Sequence, residues 1–300
     1  MTKSIIHIGY HKTATTFFQK NVYPRVKNAN YIDRYRARNA ICAPYAFDFK
    51  KNEAQQILGL SSAGPVIICE EELSGNIHTG GARSFLSKAY ADRLKETFGD
   101  AYIVIFIRNQ REIIRSAYVE YIKDGGTFSL KRYINCKNSV RRVCFSLQHF
   151  EFIKLIDYYA NLFGKNNVKV YLFEELVNDM ESFLARFVDD VSLCLNIKDV
   201  ALNSENVSLK KNTLNLLKFS NIFTSRYLLH KYYVAHVSPL HRMLASPFLI
   251  RLTEKCSNKK LKVGHLFDKE LRYVSDFYRE GNRILASKYK LPLEEYNYPL

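Results

Sequence analysis

Three hundred residues, 47% of them hydrophobic, are enough to bury a full core, and 45 Lys and Arg against 29 Asp and Glu leave a formal charge of +16. No apolar run is long enough to span a bilayer, and the amino terminus leads straight into an apolar run rather than a leader, so a soluble, cytoplasmic protein is expected. Six scattered cysteines, Cys42, Cys69, Cys136, Cys144, Cys194 and Cys256, include no C-x-x-C pair; neither a zinc site nor a disulfide framework is suggested, and reduced packing residues are expected.

The first element, a strand near 4 to 9, ends at Gly9 and is followed by Tyr10, His11, Lys12, Thr13, Ala14, Thr15 and Thr16, then by a helical pattern over 15 to 27. A helix amino terminus leaves backbone N–H groups without intrahelical partners and carries the positive end of the macrodipole, so a phosphate or sulfate is stabilised there. Lys12 adds a mobile charge, and Thr13, Thr15 and Thr16 add hydroxyl donors. The loop resembles a P-loop but lacks the second glycine, because Lys12 stands only three positions after Gly9. Ala14 is expected to avoid positive φ, which a glycine there would accept.

A second strand, near 65 to 70, runs into Glu70, Glu71 and Glu72. Crowded carboxylates raise at least one of their pKa values, which suits a general base, and in an extended segment Glu71 faces opposite to Glu70 and Glu72. A helix over 84 to 98 leads to the third strand, near 102 to 108, a continuous apolar run of the kind buried on both faces of a sheet. Arg108 closes it, and a helix over 110 to 123 follows with Ile113, Ile114, Ala117 and Tyr121 on one side and Ser116 two turns in. Further on come a helix over 146 to 163, a strand near 168 to 173, a helix over 178 to 195 and a final helix over 269 to 289 that stops before Pro292.

This alternation predicts an α/β fold, a three-layer P-loop-like arrangement with a mainly parallel central sheet flanked by helices. Ligands of such sheets bind outside the carboxyl ends of the strands, so the Lys12 loop and Arg108 are expected to face one crevice. The chain reads as one domain over 1 to 300, with a core over 1 to 200 and a helical, basic region over 201 to 300.

With these two segments in place, the chain resembles sulfotransferases that use 3′-phosphoadenosine 5′-phosphosulfate, of the bacterial, carbohydrate sulfotransferase-like type. Members carry a Lys-Thr-Gly-Thr-Thr loop for the 5′-phosphosulfate, and Lys12-Thr13-Ala14-Thr15-Thr16 matches it with Ala14 for Gly. Their second motif, Arg-Asn-Pro-x-x-Arg-x-x-Ser-x-Tyr, is matched by Arg108, Asn109, Ser116 and Tyr118, with Gln110 for Pro and Ile113 for the internal Arg. The resemblance implies that His11 to Thr16 hold the phosphosulfate end and that Arg108 and Ser116 hold the 3′-phosphate. It also implies adenosine 3′,5′-bisphosphate as product and no required metal. Lys12 is then the group beside the bridging oxygen. A Ser-Ser-Glu-x-Leu-Ser pattern of related bacterial enzymes, laid on Cys69 to Ser74, puts the base at Glu71; Glu70 and Glu72 are its neighbours, and His11 and His78 are weaker candidates because another branch uses histidine.

Between Glu205 and His265 there are eleven Lys or Arg against two Asp or Glu. That surplus would draw an anionic carbohydrate or glycolipid acceptor, and an anionic membrane face would attract it as well. Tyr227, Tyr232 and Tyr233 lie among these cations as candidate sugar-stacking rings. A kinase-like ATP-dependent phosphotransferase is the alternative and needs a proper Walker loop and Mg²⁺ ligands. Nothing beyond charge and aromatic content suggests a nucleic-acid partner.

Overall fold

The computed structural model describes residues 3–60, 64–137, 143–200, 211–224 and 267–300. Five strands, β1 (Ser4–His7), β2 (Asn30–Ile32), β3 (Val66–Cys69), β4 (Ala101–Ile107) and β5 (Val168–Leu172), form one sheet in the order β2-β3-β1-β4-β5. Every pairing is parallel, with Ile5 opposite Ile67 and Tyr102, and Ile107 opposite Leu172.

The continuous apolar runs are explained by burial on both sheet faces. On one face Ile6, Ile68, Ile103, Ile105 and Ile107 pack with Ile113, Ile114, Ala117, Ile156 and Tyr159. On the other, Ile5, Ile67, Val104 and Phe106 meet Phe18, Phe183 and Phe187. Consecutive strand residues therefore enter opposite cores, as the pleat requires.

The expected fold class and the four expected strands are present, and β2 is an addition: three residues at an edge leave too short a pattern to read. The helices Arg34–Ile41 and Lys51–Leu58 that follow it were equally illegible. Other boundaries shift. The expected helix over 15 to 27 is an α turn, Thr15–Phe17, followed by a π turn, Phe18–Val22, and a 3₁₀ turn, Tyr23–Arg25. The expected helix over 178 to 195 is two, Phe173–Asn178 and Met180–Asp190, because Asp179 turns the chain and its side chain accepts from the Ser182 N–H.

Cys136 and Cys144 are joined as a disulfide, which corrects the expectation that all six cysteines are reduced. Their loop spacing follows no framework pattern, and only the fold brings them together. Cys42, Cys69 and Cys194 are free thiols.

The carboxyl-terminal helix, Asp268–Tyr289, docks on the start of the Gln110–Lys123 helix. Gln110 and Asn282 are buried and exchange reciprocal amide hydrogen bonds of 2.7 and 3.1 Å. Gln110 thus earns its place where the motif has Pro, and Ile113, in place of the motif's Arg, lies fully buried in the core. Among the described residues, no helix is long and apolar enough to cross a membrane. Most of the basic 205 to 265 segment, with Tyr227, Tyr232 and Tyr233, lies outside the described residues.

Candidate nucleotide crevice

β1 sits in the middle of the sheet, and its carboxyl end is fixed on both sides. The Ile8 N–H donates to the Val104 carbonyl (3.0 Å), and the Glu70 N–H donates to the His7 carbonyl (3.1 Å). Three segments consequently emerge side by side: the loop after β1, the acidic segment after β3 and Arg108 after β4. This is the point where the chain's strand order reverses, the usual ligand crevice of an open parallel sheet.

The loop is tightly turned. A Cβ on Gly9 would stand 2.6 Å from His7 Nε2, so no side chain fits there. Lys12 and Ala14 take left-handed φ angles of 67° and 69°. Ala14 therefore does adopt the conformation it was expected to avoid, at a cost of about 1–2 kcal/mol for an L-residue, held by the packing around it. Ala14→Gly is expected to keep the fold and raise stability by about 0.5–1 kcal/mol after the larger chain entropy of glycine is counted, a rise of about 1–3 °C in thermal unfolding.

The hydroxyls divide. Thr13 is fully buried and its hydroxyl donates to the Tyr10 carbonyl, so that side chain braces the loop. Thr15 is buried under the first helical turn and Thr16 is exposed. Beneath the loop, His7 is fully buried against Phe18, Tyr23 and Phe106, and its Nδ1 pairs with the Tyr23 hydroxyl at 2.8 Å. Burial pushes the His7 pKa down to about 3, so the ring is neutral.

Arg108 joins the two motifs: its Nη1 donates to the Lys12 carbonyl at 3.2 Å, and its guanidinium lies 4.5 Å from the Phe173 ring centroid. Burial lowers its pKa, opposed by the charges of Glu112 and Glu174, yet a guanidinium stays charged throughout the working range. Asn109 caps the following helix by accepting from the Arg111 N–H, while its amide donates to the carbonyls of Tyr296 and Asn297. Ser116 lies half-buried on that helix. Lys12 Nζ reaches the same helix and pairs with Glu120 at 2.9 Å, a partner the sequence reading missed. The signal was available in its spacing, since Glu120 follows Ser116 by one helical turn and shares its face.

The three glutamates have different environments. The segment does not stay extended: Glu71–Ser74 form a 3₁₀ turn, so the expected alternation of faces does not apply. Glu70 is fully buried and holds Arg34 (3.2 Å) and Arg38 (2.8 Å) while accepting from the Glu72 N–H (3.0 Å). Glu71 gives one oxygen to Arg34 at 2.9 Å; its other oxygen is buried without a hydrogen-bond partner. Glu72 faces the loop, with Oε1 at 3.4 Å from His11 Nε2 and at 3.3 Å from the donating Asn76 amide.

Burial would raise the Glu72 carboxyl, but the hydrogen bond and charge of His11, with Asn76 and Arg38, hold it below the usual range. The shift is opposite to the one expected from carboxylate crowding. His11 Nδ1 is buried and without a partner, and neutral His149, pushed to about 3 chiefly by burial, lies edge-on to Tyr10 nearby. His78 is engaged elsewhere, with the Tyr133 hydroxyl at 2.9 Å and Asp124 at 3.5 Å.

The Asn76 carbonyl accepts from the Gly81 N–H, and Gly80 to Ser84 turn left-handed with φ of 52–68°. Gly75 and Gly81 meet so closely that a Cβ on Gly75 would lie 2.6 Å from the Gly81 Cα. The Glu72 carboxylate is thus positioned through Asn76 by a backbone turn that glycines make possible.

Lys12 and Arg108 bring two cations to these strand ends, beside the carboxylates of Glu72 and Glu120. Among the described residues Arg108 has only the Lys12 carbonyl as hydrogen-bond acceptor, which leaves most of its N–H groups for a phosphate. Among the described residues no group of three or more His, Cys, Asp or Glu is placed to hold a metal ion.

No family model matches this chain, and no curated protein is significantly similar to it in sequence. Solved structures are more informative. A sulfotransferase from Alicyclobacillus acidocaldarius superposes with a TM-score of 0.50 at 15% identity, covering 74% of this chain and 93% of that one. The chain has the sulfotransferase fold. Mouse sulfotransferase SULT7A1, whose structure is a complex with PAP, aligns at 12% identity over 94% of this chain and 88% of its own, with a TM-score of 0.42. Within the sulfotransferase fold of this chain, the Lys12 loop, the acidic turn and Arg108 occupy adjacent strand ends of one parallel sheet.

Proposed function

We propose that this chain is a sulfotransferase that moves a sulfuryl group from 3′-phosphoadenosine 5′-phosphosulfate to a hydroxyl or amine of a carbohydrate or glycolipid acceptor. The observation that carries the reading is the Arg108–Lys12 hydrogen bond, which joins two cationic segments far apart in sequence. When bound, the nucleotide supplies the activated sulfuryl group. Lys12, Thr15 and Thr16 hold its 5′ end, Lys12 neutralising charge on the leaving phosphate, while Arg108 and Ser116 hold the 3′-phosphate.

The proton of the attacking hydroxyl goes to the His11–Glu72 pair in this reading. Glu72 pairs with the imidazole at Nε2, and this carboxylate–Nε2 edge is the accessible part of the pair, because Nδ1 is buried. Glu71 is a less suitable base than the sequence suggested, because Arg34 engages it. The basic 205 to 265 segment is assigned to acceptor binding, with salt-sensitive affinity for an anionic glycan and contact with an anionic membrane face.

Calorimetry without magnesium tests the nucleotide assignment. Adenosine 3′,5′-bisphosphate is expected to bind at least tenfold more tightly than ATP, and Arg108→Ala or Ser116→Ala to weaken it by about tenfold or more. Equal affinity for ATP, or unchanged affinity in both variants, removes the assignment and favours a phosphotransferase.

A further inference from the structure

Lys12 is held at both ends. Arg108 fixes its carbonyl, and its ammonium is drawn across to the Gln110–Lys123 helix, where Nζ and Glu120 Oε2 are 2.9 Å apart with about a third of each side chain exposed. Glu120 lies one turn beyond Ser116, on the same face of that helix. The Glu120 carboxylate therefore occupies the position at Lys12 that an anionic ligand would take. Its charge also repels such a ligand.

We propose that Glu120 is a positioning residue that parks Lys12 on the Gln110–Lys123 helix until the 5′ end of the nucleotide displaces it. The inference rests on the reading above, in which Lys12 serves that 5′ end. The exchange is one of partners only: the ammonium leaves one anion for another, no covalent bond changes, and the released carboxylate is hydrated at the crevice mouth. Part of the attraction between Lys12 and the nucleotide is spent in separating Lys12 from Glu120, so the pair lowers nucleotide affinity and discriminates against ligands that bring no charge to the 5′ position.

The test uses the full chain and two probes, adenosine 3′,5′-bisphosphate and adenosine 3′-monophosphate, which lacks the 5′-phosphate. Glu120→Gln keeps the side-chain size and removes the charge. It is expected to tighten the bisphosphate by about three- to tenfold and leave the monophosphate within about twofold. Glu120→Asp, with its carboxylate drawn back by one methylene, should fall between. In the Lys12→Met background the gain from Glu120→Gln should vanish, a coupling that a purely structural role for Glu120 does not produce. With saturating acceptor, Glu120→Gln should lower KM for the sulfuryl donor and leave kcat within about twofold.

Equal tightening of both probes overturns the proposal, since Glu120 would then act as a general repulsive charge and not through Lys12. Unchanged or weaker bisphosphate binding in Glu120→Gln overturns it too, with the functional reading intact. A wild-type chain that binds no bisphosphate overturns the functional reading itself, and this inference with it.

Discussion

Glu72→Gln is expected to lower turnover by about two to four orders of magnitude while leaving affinity for adenosine 3′,5′-bisphosphate within about twofold. The side chain has no hydrogen bond or ion pair with Lys12, Thr15, Thr16, Arg108 or Ser116, which hold the nucleotide in the proposed reading; it stands 3.4 Å from His11 and accepts from Asn76. A glutamine retains the size and an acceptor oxygen but carries no charge, so the step in which the His11–Glu72 pair takes a proton loses its carboxylate. Glu71→Gln is expected to cost tenfold or less, because Arg34 already engages one of its oxygens. Pre-steady-state turnover and calorimetry on the two variants decide between them. A large loss in Glu71→Gln with near-normal Glu72→Gln restores Glu71 as the base and leaves the His11–Glu72 pair a structural contact. The Glu72 carboxyl, held below the usual range, stays ionised as pH falls past that of a free glutamate, so its charge persists until pH drops through the lowered value.

The fold was legible where patterns were long and the physics simple. β4 and the helix after it announced themselves by a continuous apolar run followed by a helical stripe, and Ile113, Ile114, Ala117 and Tyr121 are buried as that stripe requires. The strand, turn and helical start around Gly9 were legible for a different reason, since a glycine closes the apolar run and hydroxyl residues follow it. Partnerships were not. Whether Glu70, Glu71 or Glu72 faces the crevice depends on where β3 ends, and one residue of difference rotates all three. The sequence suggests an extended segment; the chain turns into a 3₁₀ helix because Glu70 accepts from the Glu72 N–H. Glu120 and His149 come from separate elements and meet the loop, as Asn76 meets Glu72, only in three dimensions. Ala14 illustrates the reverse case, in which a local rule about φ is overridden by tertiary packing.

Glu70→Ala is expected to lower stability by about 3–5 kcal/mol, the usual cost of breaking a buried ion pair by removing one partner, and thermal unfolding by roughly 10 °C. Glu70 is fully buried between β3 and the Arg34–Ile41 helix, where two guanidinium groups and a backbone N–H converge on its oxygens. Removing it leaves Arg34 and Arg38 facing each other without their common counter-charge. Glu70→Gln should cost less, since Arg34 keeps Glu71 and the amide oxygen still accepts from the Glu72 N–H. Arg38→Ala should cost least, because that side chain is 37% exposed and its charge is partly hydrated. A Glu70→Ala loss no larger than that of Arg38→Ala would mean that the cluster is wet and that β3 is anchored by its apolar strand alone. The same variant separates anchoring from chemistry. With Glu70 gone, the 3₁₀ turn that presents Glu72 loses its cap, so turnover should fall together with stability, whereas Glu72→Gln should lose turnover at an unchanged unfolding temperature.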